Sequence, residues 1–141
     1  MGADLYIKDM NRESQYRGFE VSKEAVEVGY FRDCYNDGGL FSNLGLSWWE
    51  LAGKFKLDDN EREMTLAQIP EFRAILTEAI SNFKPPTGDK LMSCFDKDDL
   101  PKTEAEATIR YREYFIDCWA NLLLRLLDIA EEKKSNIMWS V

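Results

Sequence analysis

The chain has 141 residues, 45% apolar and 13% aromatic, which fits one globular domain over 1–141 and excludes a disordered chain. Its net charge of -8 repels phosphate backbones and anionic headgroups, which argues against nucleic-acid or membrane binding and favours a protein partner with a basic surface. It contains no histidine, which removes His-dependent triads, the usual zinc and iron sites and the commonest base near neutral pH.

In chain order, residues 3–9 alternate, with Ala3, Leu5 and Ile7 on one side, and predict a half-buried strand. Residues 10–18 lack periodicity and read as a loop or a short helix. Ser22 caps a predicted helix over 23–33, with Glu24 in its first turn and Ala25, Val28 and Phe31 facing inward. Asn36-Asp-Gly-Gly39 is a turn, and Leu40–Leu44 a short amphipathic piece. Ser47 and Glu50 form a capping box for a helix over 48–55, with Leu46 and Leu51 in the staple positions.

The charged run 56–64 reads as a loop. Thr65-Leu-Ala-Gln68 is a second capping box, and Pro70 must kink the helix that follows or open it anew. Phe72, Ile75, Leu76, Ala79, Ile80 and Phe83 mark the core face of that helix. The acidic, proline-containing connection 84–102 is long for a compact domain and suggests a mobile flap or a short strand around Leu91–Phe95.

Thr103-Glu-Ala-Glu106 caps a final helix to about Lys134, with Ala105, Ile109, Ile116, Trp119, Leu122, Leu123, Leu126, Ile129 and Ala130 inside. At about 45 Å this helix is expected to protrude, bend, or pack on a partner or a second copy of the chain. Residues 137–141 alternate again and need a mate, which the first strand supplies. The expected fold is α+β and mostly helical: three to four helices on a small sheet that pairs the N- and C-terminal strands.

Phosphate-binding motifs are absent. Asp33-Cys-Tyr-Asn-Asp-Gly38 begins like a calcium loop but has Leu44 where the bidentate Glu belongs, and the run from Asp96 lacks that loop's glycine at the sixth position. No metal and no cofactor are therefore expected. Three cysteines, Cys34, Cys94 and Cys118, without a CxxC pair suggest a reducing compartment, with Cys118 buried in its apolar run. The chain start resembles neither a signal peptide nor a myristoylation site, and no apolar run spans a membrane, so a cytoplasmic protein is expected.

Two groups of residues stand out as candidate binding positions. One is the aromatic and charged corner of Arg32, Asp33, Tyr35, Asn36, Asp37, Trp48 and Trp49. Adjacent tryptophans on a helix point about 100° apart, so one faces the core and the other suits an interface. The second group is Asp96, Asp98 and Asp99, within residues 58–108, which carry 12 acidic and 6 basic groups.

The blocks Met1-Gly-Ala-Asp-Leu-Tyr-Ile7, Gly29-Tyr-Phe-Arg-Asp-Cys-Tyr-Asn36, Leu44-Gly-Leu-Ser-Trp-Trp49 and 130–141 resemble a scattered group of small bacterial and phage proteins without an assigned activity. Cys34 stands where that group is expected to have serine. The resemblance implies a single domain of bacterial or phage origin and no mechanism. The leading expectation is a non-enzymatic binding or regulatory protein, such as a phage-encoded inhibitor of a host macromolecule. The alternative is a small-ligand site or enzyme in which Arg32 holds an anion beside Asp33, Tyr35, Asn36 and Trp48.

Overall fold

The computed structural model describes residues 4–10, 22–32, 34–35, 38–58 and 61–140. It is α+β, as the sequence pattern implies. The elements are β1 (Leu5–Ile7), α1 (Lys23–Glu27), β2 (Tyr30–Phe31), α2 (Leu40–Leu44), α3 (Trp48–Lys54) and β3 (Glu63–Met64). There follow α4 (Ile69–Ser81), α5 (Gly88–Met92), α6 (Glu104–Phe115), α7 (Asn121–Lys133) and β4 (Ile137–Trp139). The helices are shorter and more numerous than the three or four expected.

The four strands form one antiparallel sheet in the order β2-β1-β4-β3. Leu5 pairs with Trp139 and Phe31, and Ile7 with Ile137, which in turn faces Met64. Because side chains alternate across a strand, these six fall on one face, and all are sealed in the core. The opposite face carries Tyr30, Tyr6, Met138 and Glu63 in one cross-strand row, each half-buried.

Trp139 is at the centre of the core. Its ring lies 5.3–5.7 Å from those of Phe41, Phe72, Tyr35 and Trp48, so α2, α3 and α4 all meet on β4. The Leu122, Leu123, Leu126, Leu127 and Ala130 face of α7 is buried too. Ion pairs at the rim tie α7 outward: Arg73 of α4 to Asp128 at 2.8 Å and to Glu131, and Arg125 to Glu27 of α1 at 2.9 Å.

Three predicted elements are corrected. The helix over 23–33 stops at Glu27, because Gly29 turns left-handed at φ 88° and its carbonyl accepts the Ile7 N–H at 2.9 Å. A Cβ there would lie 2.7 Å from the Met10 sulfur. Phe31 is buried as expected, but from a strand. The loop 56–64 ends in β3, a two-residue strand too short to show a period. Residues 88–92 coil into α5, and the expected strand at 91–95 is absent from these described residues.

The long C-terminal helix exists, but its N-terminal half is turned. Ala105 and Ile109 are exposed, and Ala107, Tyr111 and Phe115 point inward. These inward positions recur every four residues, a step over which an α-helix drifts about 40°. A π-helical turn at Ile116–Ala120, with more residues per turn, absorbs part of that drift before α7. Cys118, expected inside, is exposed within this turn, whereas Cys34 is the buried thiol. Lys8 and Asn136 both bond the Glu63 carboxylate, on the sheet's outer row.

Glu63 is expected to make the stability of the sheet depend on pH. Its hydrogen bonds from Lys8 and Asn136 hold its carboxyl below the ordinary value of 4.5. Because the folded-state value is depressed, the stability it contributes is fully present above the ordinary value and lost as pH falls through the lower, folded-state one. Chemical denaturation at a series of pH values should show that decline, and Glu63→Gln should flatten it.

Candidate functional site

The structure describes seven of the ten candidate residues and sets them in two regions, the aromatic corner and the segment after α5. Asp33, Asn36 and Asp37 lie outside the described residues. Arg32 interacts with the phenol of Tyr30, whose hydroxyl donates to Asp4 and is pushed up to about 12, chiefly by burial and then by Asp4. This contact places the Arg32 side chain beside Tyr30 of β2.

Tyr35 stacks on Trp48, with ring centroids 4.4 Å apart and planes 18° apart. Burial pushes its hydroxyl well above the usual range, partly offset by the nearby Arg62 charge. The guanidinium at this corner belongs to Arg62, its carbon 5.2 Å from the centre of the Trp48 ring. Sequence reasoning missed it, because Arg62 sits in a charged run with no local signal linking it to a tryptophan fourteen residues earlier. Trp48 packs against the core, while Trp49 is 77% exposed on the next helical position.

The second place is a recess of about 750 Å³ between α6 and the segment after α5. Asp96 and Asp99 line it; Asp98 is exposed beside it. Arg110, Glu113, Tyr114 and Asp117 of the long helix form the facing wall, and Cys94 and Cys118 complete it with Phe95 and Tyr111.

Local chemistry holds the 88–102 segment here. Thr103 accepts the Glu106 N–H at 3.1 Å, and the Glu106 carboxylate reaches back to the Lys102 N–H at 2.8 Å. Glu104 accepts the Gly88 N–H at 3.1 Å, while Leu91 and Pro101 are buried under the segment. Phe83 and Phe115 stack at 4.2 Å, with Tyr111 beside them, and form the floor joining this lobe to the main core.

Inside the recess Arg110 donates to Asp99 at 2.7 Å and lies 5.0 Å over the Phe95 ring. Its charge is therefore already answered. What remains on the lining is Asp96, Glu113 and Asp117, the last accepting from the Asn121 amide at 3.4 Å, together with Tyr114, which is 64% exposed. Carboxylates beside ring faces are the surfaces that attract a cation. Among the described residues no group of three or more acids or thiols is arranged to hold a metal ion, and Asp96, Asp98 and Asp99 do not converge. Among them, too, no helix is long and apolar enough to cross a membrane.

The fold and these two sites define an α+β protein with an acidic, aromatic recess on a helical lobe. Comparison of the chain with models of protein families, with curated proteins and with solved structures finds no match.

Proposed function

We propose that the chain is a non-enzymatic binding protein that docks a partner with a basic surface in the recess between α6 and residues 94–99. The supporting observation is the balance of charge there. Asp96, Asp99, Glu113 and Asp117 face a single Arg110, which is itself paired to Asp99. A partner's Lys or Arg would meet three remaining carboxylates and the exposed Tyr114 ring. The exposed indole of Trp49 offers an apolar anchor of the kind that dominates protein interfaces. Inhibition of a host macromolecule is the version of this role that the bacterial and phage resemblance supports.

The test is capture of a partner from lysate by the tagged chain and by Asp96→Lys/Glu113→Lys/Asp117→Lys. Asp99 is left intact to keep its bond to Arg110, and Asp98→Lys serves as a charge control outside the recess. The triple variant is expected to capture the specific partner about tenfold less well, and added salt to weaken capture by the parent chain. Equal capture by the triple variant and the parent would remove the recess from the interaction.

A further inference from the structure

We propose that the aromatic corner formed by Tyr35, Trp48, Arg62 and Trp139 is a binding site for an oxyanion, a carboxylate or phosphate group. Among the described residues, three polar atoms of this one cluster are buried without a hydrogen-bond partner: the Tyr35 hydroxyl, Nη1 of Arg62 and Nε1 of Trp139. Trp139 is 1% exposed. The rings of Tyr35, Trp48 and Trp139 lie within 5.5 Å of one another, and the Arg62 guanidinium covers Trp48.

Buried polar groups are rarely left unpaired, because each forfeits its hydration without a compensating bond, and a charged one forfeits more. The chemistry of the three names the missing partner. The guanidinium and the indole N–H can only donate, and the hydroxyl can donate as well. With a cation in the set, an anionic oxygen is the acceptor that answers them best. Asp58 does not fill this role: it sits 3.6 Å from the other terminal nitrogen of Arg62.

The backbone holds Arg62 in place. Its N–H donates to the Leu57 carbonyl at 2.7 Å and its own carbonyl accepts the Trp139 N–H at 2.9 Å. Glu61 and Arg62 are both left-handed, at φ 51° and 63°, a conformation that costs non-glycine residues free energy and clusters at ligand sites. Tyr35, Trp48 and Arg62 are each partly exposed while Trp139 is sealed, so the corner runs from a buried floor to a rim that reaches solvent. This site stands apart from the acidic recess, which prefers the opposite charge.

The test follows the indole N–H resonance of Trp139 by NMR while sodium phosphate, or separately sodium acetate, replaces sodium chloride at constant ionic strength. A saturable shift with one of them is expected, phosphate or acetate identifying the group taken. Tyr35→Phe, which keeps the stacked ring, is expected to weaken that binding about tenfold, and Arg62→Gln to abolish it, with Arg62→Lys between. Near-ultraviolet circular dichroism checks that each variant keeps the aromatic core. No saturable shift with either anion overturns the proposal, as does equal saturation in a folded Arg62→Gln variant.

Discussion

Trp139→Ala is expected to destabilise the protein by about 4 kcal/mol, read as a lower midpoint in urea denaturation. The residue is the largest of the fully buried side chains and touches rings from α2, α3 and α4 and the segment at Tyr35. Truncation removes the apolar contact and leaves a cavity between elements that the backbone holds apart. A domain of this size has a total stability of about 5–15 kcal/mol, so a large fraction is at stake. Trp49→Ala is the matched control: with its indole in solvent it should shift stability by less than about 0.5 kcal/mol. A small effect at Trp139 would mean that the rings around it close the gap.

Phe115→Ala should cost about 3 kcal/mol and act mainly on the helical lobe. Phe115 is 1% exposed and stacks on Phe83, and the Arg112 guanidinium bonds the Phe83 carbonyl at 3.2 Å. α6 packs chiefly on α5 and this aromatic floor. Hydrogen exchange is expected to rise across 88–112 while amides of β1 and β4 keep their protection. Uniform loss of protection through the whole chain would instead mean that lobe and sheet open together.

The contrast between these residues shows what the sequence could and could not reveal. The helix starts were legible because capping is local: Ser22, Ser47 and Thr103 each accept the N–H three residues on, and the Gln68 side chain accepts the Thr65 N–H. The pairing of β1 with β4 was legible because two short alternating segments need mates. The orientation of α6 was not, since Ala105 and Ile109 offered an apolar pair as plausible as Ala107, Tyr111 and Phe115. A π turn downstream, invisible in composition, lets the latter set share a core with α7. The arginine over Trp48 was hidden for a different reason. Left-handed turns at Glu61 and Arg62 bring together residues with no shared local pattern, so nothing in the charged run pointed to Trp48.

The sheet has a consequence for how the molecule comes into being. Asp4 and Ser140, 136 residues apart, are joined by hydrogen bonds, and the strand beside Leu5 cannot pair until Ile137–Trp139 exists. During synthesis β1 can pair with β2 early, but its other edge must stay unsatisfied until α7 and β4 have been made. Closing so long a loop is paid for before any contact rewards it, which favours slow, late folding. Joining the two ends and opening the chain in an exposed turn should hasten that step.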